Sequence, residues 1–260
     1  MFNTFDLIYF SPTFTTQRIL REIASTHSEK LQREIDLTPQ GKTATYDYSP
    51  QEALLIGFPV YAGRVPQPFT ERIKGLRGAN SPAIIVAVYG NRAYDDALME
   101  MKMVLEQQGF YIAGAAAFIA QHSIVPSIAS SRPDAEDLAY ARRFGQEVFE
   151  KLEKAAPCSP QMPGLPIKGQ VPLRPYYRMP VHPKANRHCQ KCGLCAQQCP
   201  MGAIPLQNPK ETDPQLCITC MRCVHICPHH ARNINFLVRL LTRRKLSKLC
   251  KERKRPEWVL

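Results

Sequence analysis

The chain has 260 residues, of which 44% are hydrophobic and 22% are charged, and its formal net charge is +12. This apolar share is ordinary for a globular protein, and the length predicts two domains. The longest apolar run, Phe110 to Ala120, has eleven residues and contains a glycine, so no membrane span is expected. The N-terminal residues lack a basic segment followed by a long apolar core, which predicts a cytoplasmic protein.

The charge is distributed unevenly along the chain. Residues 1–156 contain 16 Lys/Arg and 18 Asp/Glu, a net charge of −2, whereas residues 157–260 contain 18 and 4, a net charge of +14. A basic surface attracts and orients acidic partners. We therefore expect acidic partner proteins. Nucleic acid is not expected, because aromatic residues for base stacking are few in the basic tail and no nucleic-acid-binding motif is recognisable.

The first 156 residues alternate short apolar runs with segments of helical periodicity. Five segments predict strands, at Phe5–Phe10, Leu31–Leu37, Ala53–Phe58, Ala83–Val88 and Phe110–Ile119, and the first and third of them read as buried apolar runs. Four segments predict helices, at Gln17–Ala24, Pro66–Ile73, Ala97–Gln108 and Asp134–Ala155. Strands that alternate with helices form a doubly wound parallel sheet, which binds ligands beyond the carboxyl ends of its strands. We expect an α/β domain with a five-stranded parallel sheet.

A hydroxyl-rich loop joins the first predicted strand to the first predicted helix. It contains Ser11, Thr13, Thr15 and Thr16 but neither lysine nor arginine. Backbone N–H groups at a helix start bind phosphate, and hydroxyl groups add further donors. The loop therefore predicts a phosphate site held by neutral groups. Capping of the helix by the same hydroxyl groups is the alternative.

A proline-rich segment follows the α/β domain. Residues 157–183 contain eight prolines. Proline excludes helix interiors and central strands, so the composition predicts a semi-rigid linker over residues 157–180. This linker would set how closely the two flanking domains approach each other.

Eight cysteines form two matching runs, each spaced C-x2-C-x2-C-x3-C-P, at an offset of 28 residues. This is the spacing of bacterial ferredoxins with two [4Fe–4S] clusters, in which the fourth cysteine of a run ligates the other cluster. We therefore assign the first cluster to Cys189, Cys192, Cys195 and Cys227. We assign the second cluster to Cys217, Cys220, Cys223 and Cys199.

Zinc and disulfide bonds are the alternatives for these cysteines. Structural zinc uses two C-x2-C pairs around one ion, so two runs of this kind would leave half of the ligands unused. Disulfide bonds are disfavoured in a protein without a secretory signal. We expect a small α+β two-cluster ferredoxin domain over residues 181–235, with short strands at 203–207 and 231–235.

The last segment, residues 236–260, combines leucines at helical spacing with basic residues. Ten Lys/Arg and one glutamate lie between Arg232 and Arg255. Such a pattern is compatible with nucleic acid or an anionic membrane surface. We favour a basic C-terminal helix that packs its leucines on the protein and presents its charge to water or to an acidic partner.

The first 156 residues resemble a flavodoxin, and the whole chain resembles flavodoxin–ferredoxin fusion proteins. The hydroxyl loop is similar to the flavodoxin phosphate loop, usually T-x-T-G-x-T, with Ser11, Thr13 and Thr16 at the hydroxyl positions. The resemblance implies that an FMN phosphate binds this loop and that loops 59–64 and 89–95 flank the isoalloxazine ring. The FMN-binding residues implied are Ser11, Thr13, Phe14, Thr15, Thr16, Pro59, Val60, Tyr61, Ala62, Gly63, Tyr89, Gly90, Asn91, Tyr94 and Asp95. Among them, Tyr61 and Tyr94 would stack on the ring, and Gly63 and Gly90 would bring backbone to its edge.

The phosphate loop departs from the family pattern at one position, because its usual glycine is Phe14 here. A Cβ is tolerated at this position if φ is negative but is strained if the loop requires a positive φ. A phenylalanine could also cover the phosphate or block it.

The resemblance implies an electron-transfer protein that passes electrons between FMN and two [4Fe–4S] clusters and on to acidic redox partner proteins. An FMN-dependent reductase of a small substrate, fed by its own clusters, is one alternative. A cluster protein whose flavodoxin-like domain lacks flavin and only docks a partner is another. The sequence shows no nucleophile, general acid or closed substrate pocket, which favours a carrier over an enzyme.

Overall fold

The computed structural model describes residues 2–154 and 164–260. The strands are β1 (Thr4–Tyr9), β2 (Leu31–Asp36), β3 (Asp47–Tyr48), β4 (Glu52–Pro59), β5 (Arg77–Gly78), β6 (Ser81–Tyr89), β7 (Phe110–Ile119), β8 (Lys184–Ala185), β9 (Arg232–Asn233) and β10 (Glu257–Val259). The helices are α1 (Thr15–Ala24), α2 (Gln67–Arg72), α3 (Ala97–Gln107), α4 (Ala135–Lys154), α5 (Leu194–Gln197), α6 (Arg222–His225) and α7 (Phe236–Leu249). The start of the predicted linker and the end of the last predicted helix of the α/β domain lie outside the described residues.

Six strands form the central sheet, in the order β10-β7-β6-β4-β1-β2. Five of them run parallel, and β10 pairs antiparallel with β7. Without the short pair β3 and β5, the parallel strands have the chain order 2-1-3-4-5, which is the flavodoxin-like doubly wound order. The predicted fold class is confirmed, and the sheet gains a sixth strand that the sequence did not predict.

Two apolar layers bury the faces of this sheet. One layer joins Ile8 and Phe58 to Phe69 of α2, and the other joins Leu7 to Ile19 of α1 and Phe149 of α4. Because successive strand residues point to opposite faces, a strand covered on both faces is apolar at nearly every position. This explains why apolar runs predict β1, β4, β6 and β7, whereas the edge strand β2 contains no fully buried residue.

The cluster domain contains two short helices in equivalent places of the two cysteine runs, α5 and α6. Each follows a residue in the left-handed region, Gly193 at φ 78° and Met221 at φ 65°. The strand predicted at 231–235 is present as β9, but it pairs with β8. The strand predicted at 203–207 was wrong. Pro205 lacks the N–H that a strand interior needs, and the Ala203 carbonyl accepts from the Asp213 N–H instead.

The C-terminal segment is helical only over α7, so the predicted helix to residue 260 was wrong beyond Leu249. The expected packing of its leucines was also wrong, because Leu237 and Leu241 are about two-thirds exposed. Beyond the helix, the chain crosses to the open edge of β7 and pairs with it as β10. An open strand edge offers unpaired backbone groups to any such segment. Within residues 2–154 and 164–260, no helix is long and apolar enough to cross a membrane.

Side-chain contacts fasten this final strand to the α/β domain. The Trp258 ring packs beside Tyr140 and Phe144, with centroids 6.3 and 6.0 Å away, and its Nε1 donates to Glu147 at 2.8 Å. Arg253 pairs with Asp134 at 2.9 Å. The chain therefore leaves the α/β domain, forms the cluster domain and returns to the same sheet.

We predict that Trp258→Ala lowers the free energy of unfolding of the α/β domain by about 2 kcal/mol, because it removes a half-buried aromatic ring from this clasp. Chemical denaturation monitored by circular dichroism measures the change. Leu241→Ala, at an exposed apolar position of α7, is the matched control and is expected to stay within about 0.5 kcal/mol of the parent. Equal stability of the two variants would contradict a clasp role for β10.

Candidate cofactor sites at the domain interface

A cavity of about 750 Å³ lies where the α/β domain meets the cluster domain. Its walls come from the loops after β4, β6 and β7, from residues 176–179 and 215–219, and from α7. Cavities of this size hold small-molecule cofactors. Eight residues of the two predicted ring-binding loops line it: Val60, Tyr61, Ala62, Gly63, Tyr89, Gly90, Arg92 and Ala93.

The remaining predicted FMN-binding residues of these two loops lie outside the cavity lining. Tyr94, expected to stack on the ring, is 9% exposed, packs edge-on against Tyr89 and donates its hydroxyl to Glu257 of β10 at 3.3 Å. Asp95 pairs with Arg174 at 2.8 Å. Pro59 is the last residue of β4, and Asn91 donates to the Cys250 and Glu252 carbonyls of the C-terminal segment. The structure thus places Tyr94 behind the cavity wall, in a supporting position.

His122 lines the cavity and was missed by sequence reasoning. Its Nδ1 accepts from the backbone N–H groups of Ile124 and Val125, both at 3.2 Å, so Nε2 carries the proton. Burial lowers the pKa of His122 to about 4, so the ring is neutral at physiological pH. A Cβ at Gly90 would lie 2.8 Å from the ring, so this position requires glycine. The signal was available, because His122 follows the carboxyl end of the fifth parallel strand.

The predicted phosphate loop keeps a left-handed turn at its non-glycine position. Phe14 has φ 64°, in the region that favours glycine. Ser11 and Thr16 are buried, and Ser11 Oγ accepts from the Gln17 N–H at 3.0 Å, so this hydroxyl also caps α1. Thr13 and Thr15 are half-buried, and none of the five loop residues lines the large cavity.

The Phe14 ring extends toward the cluster domain. Its centroid lies 4.8 Å from the Arg222 guanidinium carbon and 5.5 Å from the His225 ring. A left-handed residue with a Cβ costs about 1–2 kcal/mol, and a cation–π contact offsets about 1 kcal/mol of that. Phe14 is therefore a contact between the domains.

Two buried arginines hold the cluster domain against the α/β domain. Arg222, 6% exposed, donates to the Pro12 carbonyl at 3.2 Å and to Gln198 Oε1 at 2.6 Å. Arg72, 9% exposed, donates to the Pro200 carbonyl at 2.5 Å. Neither guanidinium forms an ion pair with a carboxylate of the described residues. Each domain thus contributes a buried arginine that donates to a backbone carbonyl of the other domain.

The cysteines surround two pockets in the cluster domain. One pocket is lined by Cys189, Cys192, Cys195 and Cys227, and the other by Cys199, Cys217, Cys220 and Cys223. These are the two sets that the spacing assigns to the two clusters, each with its fourth cysteine from the other run. Cluster ligation itself stays a prediction. Within the described ranges, no three or more His, Cys, Asp or Glu side chains converge as they would on a single metal ion.

The sulfur atoms lie among hydrogen-bond donors. Backbone N–H groups reach the sulfurs of Cys199, Cys217 and Cys227 at 3.3, 3.4 and 3.3 Å. Arg232, 1% exposed, lies 3.7 Å from the Cys195 sulfur, and its Nε has no hydrogen-bond partner among the described residues. Donors and a buried cation of this kind fit negatively charged thiolates and a negatively charged cluster.

When no metal is bound, burial disfavours the thiolate form of these cysteines. It raises the pKa of Cys223 to about 12 and that of Cys220 further, so both thiols would be protonated at neutral pH. A metal centre that binds thiolates would offset this penalty.

The large cavity and the second cysteine pocket share a wall. Met201 and Ile218 line both, whereas the first cysteine pocket shares no lining residue with the cavity. Tyr61 lies in the same region: burial raises its pKa well above the usual 10, and the neighbouring Cys220 and Cys217 act in the same direction. The predicted flavin ring site is therefore next to the second cluster pocket.

We predict that Phe14→Ala lowers the free energy of unfolding by about 1 kcal/mol, because it removes the contact with Arg222 and keeps the left-handed strain. Phe14→Gly removes the same contact but relieves the strain, so it should be about 1 kcal/mol more stable than the alanine variant. Denaturant unfolding of both variants measures the difference. An alanine variant at least as stable as the glycine variant would show that the positive φ carries no strain.

Residues 188–232 match the protein family described as "4Fe-4S dicluster domain". No curated protein matches the sequence. Similar solved structures include a flavodoxin from the domain Archaea, with 14% identity, a TM-score of 0.42 and coverage of 58% of this chain and 99% of that chain. Flavodoxin 2 from Bacillus cereus has 12% identity, a TM-score of 0.41 and coverage of 57% and 99%. The Flv1 flavodiiron core from Synechocystis sp. PCC6803 has 16% identity and a TM-score of 0.42, and the match covers 59% of this chain and only 36% of Flv1.

The assignment of the fold rests on the sheet itself, whose parallel strands have the order 2-1-3-4-5. The cluster domain rests on the family match and on the two cysteine pockets. The chain thus joins a flavodoxin-like α/β domain to a 4Fe–4S dicluster domain, as in a flavodoxin–ferredoxin fusion, and the family match of the second part supports a role in electron transfer.

Proposed function

We propose that this cytoplasmic protein transfers electrons between FMN and two [4Fe–4S] clusters, and between these clusters and acidic redox partner proteins. One observation carries the proposal: the cavity lined by the predicted ring-binding loops shares the wall of Met201 and Ile218 with the second cysteine pocket. Electron transfer between two cofactors requires such proximity, and a protein contributes by holding them at a fixed separation.

The described residues fit FMN in two places. The phosphate loop offers the N-terminus of α1 and the hydroxyl groups of Ser11, Thr13, Thr15 and Thr16. Tyr61 and Tyr89 offer aromatic surface in the cavity, and His122 offers a neutral N–H donor. FMN supplies the ability to exchange one or two electrons, whereas a cluster exchanges one at a time. The chain's own part is to bind the ring, exclude water and keep it beside the second cluster.

The two cysteine pockets differ in their surroundings, which suggests their order in the electron path. The second pocket adjoins the α/β domain, whereas Cys192 of the first pocket is exposed to solvent. Arg187 and Lys191 are exposed next to it in the chain. An acidic partner would be steered to this basic edge. We infer that electrons pass between the cavity and the partner through the second cluster and then the first.

An FMN-dependent reductase is the second candidate, and the cavity favours it. At about 750 Å³ the cavity has the size of sites that hold small-molecule ligands. His122 would then serve a bound substrate as an N–H donor. Oxidation of the reduced protein that accelerates with a small organic acceptor, and not with a partner protein, would support the reductase. The third candidate, a domain that only docks a partner, requires that no FMN binds.

Iron and flavin content of protein purified without oxygen tests the proposal directly. We predict about eight irons and one FMN per chain, because each cubane holds four irons. Cys192→Ser and Cys220→Ser should each reduce the iron to about four, since each removes a ligand of a different cluster. Cys250→Ser, outside both pockets, is the control and should keep all the iron. Full iron in either ligand variant would contradict the assignment, and protein that neither contains nor takes up FMN would end the flavin proposal.

Arg232 provides a second prediction. Its buried positive charge lies beside Cys195 of the first set and also acts on Cys223 of the second, so it favours the reduced, more negative state of both clusters. Arg232→Met should therefore lower the reduction potentials of both clusters. Redox titration followed by electron paramagnetic resonance measures both potentials. Arg232→Lys, which retains the charge, should shift the potentials less. Unchanged potentials in Arg232→Met would contradict this electrostatic role.

A further inference from the structure

We propose that Arg222 of the cluster domain binds the phosphate of FMN, so that the flavin site is completed across the domain interface. This inference rests on the proposed binding of FMN to the α/β domain. It adds a binding residue that no pattern in the phosphate loop indicates, because Arg222 lies more than two hundred residues further along the chain.

The guanidinium of Arg222 reaches the phosphate loop itself. Its Nη1 lies 3.2 Å from the Pro12 carbonyl oxygen and 3.5 Å from that of Ser11. The Phe14 ring lies below its guanidinium carbon, and Gln198 Oε1 accepts from Nη2. These contacts fix the orientation of the guanidinium, and the cation lies against the loop that starts α1.

The charge of Arg222 lacks an anionic partner in the described part of the chain. The side chain is 6% exposed, and its hydrogen-bond acceptors are two carbonyl groups and one amide, all neutral. Burial of a guanidinium without a counter-charge costs several kcal/mol. The loop beside it has hydroxyl and N–H donors but neither lysine nor arginine. A phosphate dianion on this loop would balance the charge that Arg222 brings.

The second cluster is the other anion that could balance this charge, because Cys220 and Cys223 flank Arg222 in the chain. The side-chain contacts favour the loop: the Arg222 backbone N–H bonds the Cys220 sulfur, whereas the guanidinium bonds loop carbonyls. By comparison, Arg232 directs its guanidinium at cysteine sulfurs of both sets. The two buried arginines therefore serve different anions, Arg232 the clusters and Arg222 the loop.

The test compares FMN with riboflavin, which has the same ring and no phosphate. Affinities of both ligands are measured by flavin fluorescence quenching on full-length protein with its clusters intact and its flavin removed. Arg222→Met should weaken FMN binding at least tenfold, the value of one charge-assisted hydrogen bond, and change riboflavin binding less than twofold. Arg222→Lys, which keeps the charge without the planar fork, should fall between the parent and the methionine variant.

Arg72→Met is the matched control. Arg72 is a buried arginine that also bonds a carbonyl across the domain interface, at Pro200, and its guanidinium forms no hydrogen bond with the phosphate loop. If Arg72→Met affects flavin binding by loosening the contact between the domains, it should weaken the binding of FMN and the binding of riboflavin by the same factor. Arg222→Met would show this equal loss if Arg222 only docked the domains, and that result would overturn the inference.

The parent protein separates failure of the inference from failure of the proposed function. Riboflavin bound as tightly as FMN would show that no phosphate site exists and would overturn the role of Arg222 while the flavin proposal stands. Binding of neither ligand would overturn both. FMN bound more tightly than riboflavin, with the difference lost in Arg222→Met alone, is the expected result.

Discussion

Buried guanidinium groups that bond backbone carbonyls, without carboxylate partners among the described residues, hold the two parts of this protein together. Arg72 crosses from α2 to Pro200, directly after Cys199, and Arg222 crosses from α6 to the loop that starts α1. Neutral acceptors satisfy the hydrogen bonds of such a cation but leave its charge unbalanced. The arrangement is stable only if negative charge lies nearby, and clusters ligated by thiolates and a flavin phosphate are anions of the required kind. The docking of the two domains and the binding of anionic cofactors are therefore linked through the charges of these arginines.

The same docking brings the cavity beside the second cysteine pocket. The loops after β4 and β6 form one side of the cavity, and residues of the second cysteine run form the other. Beyond the cluster domain, α7 adds to the lining of the cavity, and β10 anchors the chain end on the sheet. The cavity is thus lined by segments of both domains and by the helix that follows them.

Much of this architecture is predictable from the sequence, because its causes are local. A strand covered on both faces is an unbroken apolar run, and the cysteine spacing follows from the geometry of a cubane, so the sheet and the two cysteine sets could be predicted. The role of Arg222, the position of His122 and the pairing of β10 could not, since each depends on contacts between distant segments. Residues 250–260 show the limit most clearly: their basic residues suit a helix, but the free edge of β7 and the packing of Trp258 favour a strand.

Phe14 shows how a departure from a family pattern can indicate a new contact. In isolation, a phenylalanine in place of glycine in a left-handed turn lowers stability, because the Cβ strains the backbone. In this chain the ring gains a partner that a flavodoxin without a second domain lacks, the guanidinium of Arg222. The turn keeps its shape, so the N–H groups of α1 remain in place for a phosphate, and the side chain orients the cation beside them. The phenylalanine is therefore explained by its contact with the docked cluster domain, and it connects the predicted phosphate loop to that domain.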